Sequence, residues 1–319
     1  MATTTSITTT YAGEFAGKYI SAALLSGNTI AQGGVTVRPN IALKEVIGKI
    51  STDDILKDAT CDFDPTSTVT KTERILEPTE YQVNLQLCKK DYVNDWESAQ
   101  MGFSAYKNLP PKFADFLIAH VADKVAQRME QNIWNGSSAV NGQFDGFATI
   151  LENATGDDAV NDVTGTTVTA SNVIDELGKV VDAIPQAVKP QEDLKIYVPS
   201  NVFYAYIRAL GGFGSIKTSG NEPTAAGANG IGNQGTLWYN NQNLNFDGIS
   251  IFLAQGLASN VMVAAQASNL YFGTSLLSDH NEVKVIDMAD IDGSQNVRVV
   301  MRLRAGIQFG IGSDIVLYN

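Results

Sequence analysis

Cysteine and histidine are almost missing from this 319-residue chain, which holds two of each. Cys61 and Cys88 cannot make a disulfide framework, so a reducing compartment is the default. His120 has Lys124, not a metal ligand, at i+4, and His280 sits in the polar turn Ser278-Asp279-His280-Asn281. Basic charge is scarce as well. Lys and Arg total 22 against 34 Asp and Glu, giving a formal net charge of -12 and a pI of about 4.6. A protein that grips nucleic acid clusters Lys and Arg against phosphates, which this composition disfavours. No apolar run nears the ~18 residues that span a bilayer. Met1 through Thr10, nearly all Thr and Ser, lacks the basic start and apolar core of a signal peptide. The sequence also lacks a G-x-S-x-G elbow, a Walker A loop and any internal repeat.

What is present is a well-distributed core former. Hydrophobic residues make up 44% of the chain, enough for one large domain or two modest ones. The Thr-rich start is expected to be extended or disordered. From Tyr11 to Leu25, Phe15, Tyr19 and Ala22 or Ala23 recur at helical spacing until Ser26-Gly27-Asn28 ends the pattern. A helix that short must dock on something, another copy of the chain included. From about Ile50 to Thr79 the sequence turns polar, with Asp53, Asp54, Asp58, Asp62 and Asp64, then a Thr-rich stretch to Glu73 and Arg74. Val69 and Ile75 are its sparse apolar points. This predicts a two-stranded arm whose legs of ~12 residues reach roughly 40 Å. An isolated ribbon is marginal in water, so such an arm implies a neighbouring surface.

Tyr81, Val83, Leu85 and Leu87 alternate with polar residues, as in a half-buried strand. Pro110 and Pro111 suit the first turn of a helix in which Phe113, Leu117, Val121, Val125, Met129 and Ile133 follow in steps of four to Asn135-Gly136. Its ~25 residues make a rod of roughly 37 Å. A second helix is predicted from Ser171, its cap, to Ile184, with a stripe of Ile174, Leu177, Val181 and Ile184. A strand (Leu194, Ile196, Val198) leads through Pro199 to Ser200, the cap of a third helix ending at Gly211-Gly212. A Gly-, Asn- and Ala-rich loop is expected to Gly235. Strands resume at Ile249–Leu253 and Val283–Val285. The last and longest alternates Val297, Val299, Met301, Leu303, Ile307 and Phe309 with Arg298, Arg302, Arg304 and Gln308. The class is α+β, without a βαβ series.

Motifs for chemistry dissolve in context. Gly230-Ile231-Gly232-Asn233-Gln234-Gly235 spells a dinucleotide fingerprint, but a loop precedes it and Thr236-Leu237-Trp238-Tyr239 is no helix start. Asp290-Ile291-Asp292-Gly293 hints at a calcium loop, yet Met288 and Val299 stand where oxygen ligands belong, and a turn before the final strand is the better reading. No metal, cofactor or catalytic residue is expected. Arg298, Arg302 and Arg304 share one strand face, which is either solvated or turned to carboxylates of a neighbouring copy.

The order of these elements resembles the Hong Kong 97-type major capsid protein of tailed phages. Ile50 to Thr79 resembles the family's E-loop, Tyr81–Leu87 its peripheral (P) domain strand, and Pro110 to Asn135 its spine helix. Phe144-Asp145-Gly146-Phe147 is similar to the glycine turn after that helix, and Val198-Pro199-Ser200 to a strand-to-helix step of the axial (A) domain. Asn245–Leu253, Leu270-Tyr271-Phe272-Gly273 and the Arg-bearing strand resemble the closing segment. The likeness covers roughly Ile41 to Asn319. It implies an N-terminal arm (1–49), E-loop (50–80), P domain (81–168, spine helix 110–135), A domain (169–269), P-domain return (270–304) and C-terminal A-domain segment (305–319).

The function so implied is a self-assembling shell subunit, not an enzyme, forming pentamers and hexamers of an icosahedral head around double-stranded DNA. Its expected place is the virion, after assembly in the host bacterial cytoplasm, with no membrane contact and no sequence-specific DNA binding. Because the arm starts near Met1, a separate scaffolding protein is the expected partner, together with portal and decoration proteins. Phe15, Tyr19, Lys71, Glu73, Arg74, Arg298, Arg302 and Arg304 are the candidate subunit-interface residues. Lys57 and Lys71 lie where some members form a covalent crosslink, but no acceptor Asn or catalytic Glu is identifiable. The alternatives are an encapsulin-like nanocompartment shell and, more remotely, a hydrolase or sugar-binding protein with Trp96, Trp134 or Trp238 lining a pocket.

Overall fold

The computed structural model describes residues 28–52, 55–59, 61, 65, 67–88, 111–210, 244–275 and 284–319. The expected N-terminal helix with Phe15 and Tyr19 lies outside them, as do Trp96, Trp238, His280 and the Gly211–Gly235 loop. The described chain opens with a short helix α1 (Asn28–Ala31), strand β1 (Thr36–Arg38), hairpin strands β2 (Glu45–Thr52) and β3 (Val69–Leu76), and β4 (Thr79–Cys88). Helix α2 (Pro111–Asn135) and helix α3 (Phe147–Glu152) lead to β5 (Asn161–Val163), α4 (Val173–Ala183), β6 (Leu194–Val198) and α5 (Ser200–Leu210). Next come β7 (Asn245–Phe246), β8 (Ile249–Leu253), β9 (Met262–Gln266), β10 (Leu270–Thr274) and β11 (Lys284–Asp287). Helix α6 (Ala289–Asp292), β12 (Asn296–Phe309) and β13 (Val316–Tyr318) complete the set.

Two sheets organise the body. In the five-stranded sheet β12 is central: β4 pairs along one edge, β11 and then β10 along the other, and β1 lies parallel to β10. Strand alternation turns Val297, Val299, Met301 and Leu303 inward, where they join Ile118, Val121, Met129 and Ile133 of α2 in one core. Arg298, Arg302 and Arg304 consequently face outward. Helix α2 ends where predicted because the chain must turn tightly. A Cβ at Gly136 would lie 2.1 Å from the Phe144 carbonyl oxygen, and the Gly146 N–H bonds the Gly136 carbonyl at 2.9 Å.

The six-stranded sheet, in the order β5-β13-β9-β6-β8-β7, is covered on both faces. Ile196, Val198, Met262, Ala264, Val316 and Tyr318 pack under α4 and α5. Their alternates Tyr197, Val263, Ala265 and Leu317 pack into the core of the spine helix. Both cores thus share this sheet. Burial of each of the larger aliphatic side chains here contributes about 1.5–3 kcal/mol.

Several expectations shift. The stretch expected as arm to residue 49 belongs to the body from Asn28: Ile30, Val35 and Ile41 are buried, and β1 is a sheet strand. The first hairpin leg starts at Glu45, before the expected Ile50, because Glu45–Thr52 pairs residue for residue with Leu76–Val69. Strand β12 stays in the five-stranded sheet to Phe309, so only β13 of the expected 305–319 segment enters the six-stranded one. The α4 stripe is Val173, Leu177, Val180 and Val181; Ile174 is 49% exposed. Asn172, not Ser171, stands at the cap position of α4, its Oδ1 accepting the Thr169 N–H at 2.7 Å. The Asp290–Gly293 segment is a short helix closed by Gly293 at φ 72°. No helix among the described residues is long and apolar enough to cross a membrane.

Candidate subunit interface

Within the hairpin, the register sets Val46 opposite Ile75, Gly48 opposite Glu73, Ile50 opposite Lys71 and Thr52 opposite Val69, all on one face. That face is open: Val46, Ile50, Val69 and Ile75 are 56%, 70%, 65% and 46% exposed. Toward the tip, Ile55 and Leu56 reach 66% and 95%. Single exposed apolar residues are ordinary; here Val46 and Ile75 pair near the root and Ile50 and Val69 lie further out, separated by Gly48 and Glu73, and a cluster of exposed apolar side chains is a feature of interaction surfaces. The opposite face, with Ile47, Lys49, Thr72 and Arg74, is half-buried.

The hairpin is rooted firmly. Leu76 is fully buried, and the Arg74 guanidinium lies 3.6 Å above the Phe309 ring. Arg74 Nη2 is 2.9 Å from Asp158 Oδ2, and its Nη1 donates to Gln308 Oε1 at 3.2 Å. Gln308 Nε2 in turn donates to the Ile75 carbonyl at 3.1 Å. Of the sequence candidates, then, Lys71 and Glu73 stand on the open face. Arg74 is turned inward, its charge engaged by its own chain.

The arginine face of β12 is partly engaged too. Arg298 Nε donates to Gln86 Oε1 at 2.9 Å. Arg304 bonds the Ala42 carbonyl at 2.6 Å and the Glu80 carboxylate at 3.3 Å. Arg302 lies opposite Gln82, exposed, and has no ion-pair partner among the described residues.

The end of the N-terminal segment is fixed by a buried carboxylate that the sequence reading missed. Glu130 of α2 accepts the Thr29 N–H at 3.1 Å and the Thr29 hydroxyl, which itself accepts Trp134 Nε1–H at 2.7 Å. Burial pushes the Glu130 carboxyl above its ordinary range, while the Thr29 hydrogen bonds pull the other way. Its signal was faint: Glu130 occupies the helix position beside Met129 in the apolar stripe. In α4, Glu176 accepts Lys179 Nζ at 2.8 Å, Tyr318 Oη of the last strand at 2.7 Å and Thr166 Oγ1 at 2.9 Å. The Lys179 hydrogen bond, first, holds the Glu176 carboxyl below the usual carboxylate range.

A groove of about 460 Å³ opens between α2 and β4, floored by Val83, Val125, Met129 and Leu303. Its one carboxylate, Glu80, already pairs with Arg304, so no acid–base pair is assembled there. Trp134 is fully buried against Phe147 and Tyr197, not on a pocket wall. Among the described residues no cluster of three or more His, Cys, Asp or Glu is placed to hold a metal.

No family model matches the sequence, and no curated protein matches it. Solved structures do. The capsid of a native GTA particle is similar over 100% of this chain and 94% of that chain, at 15% identity and a TM-score of 0.59. A procapsid of satellite phage P4, which includes the size determination (Sid) protein, matches over 97% and 92% at 10% identity and a TM-score of 0.57. A chain of Mycobacterium phage Adephagia matches over 92% and 90% at 12% identity and a TM-score of 0.57. The chain has the Hong Kong 97-type capsid fold, an α+β architecture, across nearly its whole length.

Proposed function

We propose that this chain is the major capsid protein of a tailed bacteriophage, a subunit that self-assembles into pentamers and hexamers of an icosahedral head. The observation that carries the reading is the open apolar face of the β2–β3 hairpin, rooted in the body yet left exposed among the described residues. A hairpin of this kind finishes burying itself on a neighbour, and many modest interfaces closed by symmetry add up to a stable shell. The capsid fold of the solved neighbours supports the same conclusion.

In this reading the hairpin is the E-loop. The five-stranded sheet with α2 is the P domain, and the six-stranded sheet with α4 and α5 the A domain. Phe15 and Tyr19 of the arm, with Lys71, Glu73, Arg298 and Arg302, meet neighbouring copies. The role is structural, without a catalytic step or cofactor. A separate scaffolding protein guides closure, and portal and decoration proteins join the same shell. Assembly takes place in the bacterial cytoplasm and the product is the virion. The net charge of -12 suits a container that encloses double-stranded DNA without gripping it.

The test is size-exclusion chromatography with light scattering, and negative-stain microscopy, on the expressed protein with and without candidate scaffolding protein. Capsomers or closed shells are expected. A 34.2 kDa monomer under every condition would overturn the proposal.

A further inference from the structure

The sequence holds the Asn-Gly pairs Asn135-Gly136, Asn141-Gly142 and Asn229-Gly230, the last of them outside the described residues. In such a pair the glycine has no side chain to keep its backbone nitrogen away from the carboxamide before it. What the pair does chemically is then decided by what else holds it. The two described pairs follow one another at the end of α2 and are held in opposite ways.

Asn135-Gly136 is locked. Asn135 Nδ2 donates to the Gly256 carbonyl, and the Gly136 N–H donates to the Asn132 carbonyl at 3.1 Å. The Gly136 carbonyl accepts the Gly146 N–H and Thr149 Oγ1, each at 2.9 Å, and Gly136 itself is buried. Asn141-Gly142 is open by the same measures. Both residues are exposed, at the centre of a turn that the Gln143 N–H closes on the Val140 carbonyl at 3.2 Å. Gly142 takes φ 78°, a left-handed value that glycine supplies without strain. A Cβ placed on it would meet nothing within 4 Å. Neither the Asn141 carboxamide nor the Gly142 N–H is hydrogen-bonded among the described residues; the Gly142 carbonyl alone is held, by Asn132 Nδ2 at 3.1 Å. Nucleophile and electrophile are adjacent, solvated and unengaged.

We propose that Asn141 is a site of spontaneous deamidation in the folded protein, from which Asn135 is protected by the fold. The Gly142 backbone nitrogen, its proton taken by hydroxide, attacks Cγ of Asn141. The new N–Cγ bond closes a succinimide ring, the Cγ–Nδ2 bond breaks, and ammonia leaves with a proton from water. Water then opens the ring at either carbonyl, giving aspartate or isoaspartate, and nothing is oxidised or reduced. Either product adds a carboxylate to the groove between α2 and β4, which Asn141 and Gly142 line together with Glu80. Isoaspartate also lengthens the backbone by a methylene beside the carbonyl that Asn132 holds, at the end of α2. The reaction belongs to the subunit and holds whether or not the chain builds shells.

The test keeps full-length folded protein in mildly alkaline buffer and follows it by peptide mapping with mass spectrometry, isoaspartate being counted by methylation with an isoaspartyl methyltransferase. Asn141 should convert more than about tenfold faster than Asn135, because a locked pair reacts only from transiently opened molecules. In urea, where the fold holds neither pair, the two should convert at similar rates. Equal rates in the folded protein overturn the proposal, as does an Asn141 that converts in urea but not in the folded chain. A difference that persists unchanged in urea overturns it too, since neighbouring sequence rather than the fold would then be its cause.

Discussion

Strands β3 and β9 are both short runs of β-prone sequence, yet they meet opposite fates. In β9, Met262, Val263, Ala264 and Ala265 are all fully buried, two toward each core. In β3, Val69 and Ile75 stand about half or more exposed, on a ribbon that is two-stranded among the described residues. A strand contributes stability through what covers it, so β9 is held within the subunit, whereas under the proposed function β3 is completed by a neighbouring copy. The same sequence chemistry therefore serves two levels of structure.

The sharpest way to break this contrast is to damage the body. Trp134→Ala removes a fully buried ring packed on Phe147 and Tyr197, where the two sheets share a core. Urea denaturation of the isolated subunit should show a loss of about 3–5 kcal/mol. A loss below about 1 kcal/mol would mean that the sheets do not share one core. Arg74→Ala acts at the boundary between the two regimes. The ion pair with Asp158 is partly screened, since the Asp158 side chain is 38% exposed. The expected cost is about 1–2 kcal/mol, with faster amide exchange in β2 and β3 by mass spectrometry. Unchanged exchange there would show that the hairpin is rooted elsewhere.

Acid should separate two carboxylates of the body. Glu176 is held below the ordinary range, so its contribution is complete above the unfolded carboxylate value, about 4.3, and is lost as pH falls through the lowered one. Glu130 is pushed up by burial, so its contribution is present in acid and is lost as pH rises through the raised value. Melting curves between pH 3 and 7 should show Glu176→Gln flattening the acid loss and Glu130→Gln removing a gain on the acid side. Identical profiles for both variants would contradict the assigned environments. The smallest effect on the subunit belongs to the open face. Changing Val46, Ile50, Val69 and Ile75 together to Thr, which keeps strand propensity, should shift subunit stability by less than about 0.5 kcal/mol per site while abolishing shells. Shells formed by that variant would remove the face from the interface.

Much of this was legible in the sequence, for reasons that differ by element. The four-residue steps of α2 and the alternation of β4 and β12 are set by one buried face each, so their period survives in the residues. Strand β9 was missed because burial on both faces erases the period, leaving a short apolar run. Strands β1, β5 and β13 are three residues each, too short for any pattern. The Asn28–Ile41 segment read as arm because its role lies in long-range bonds, such as Thr29 to Glu130, that no local spacing encodes. Among the interface candidates, Lys71 and Glu73 are exposed, whereas Arg74 shares their strand on the other face. Strand parity alone separates them once the register is known.

Hydrogen–deuterium exchange followed on the same protein before and after assembly tests the open hairpin face most directly. The amides of β6 and β9 should exchange slowly in both states. Those of Glu45–Thr52 and Val69–Leu76 should exchange faster in the isolated subunit and become strongly protected in the shell. Hairpin protection that is already complete in the isolated subunit, or that does not change on assembly, would contradict a hairpin completed by its neighbour.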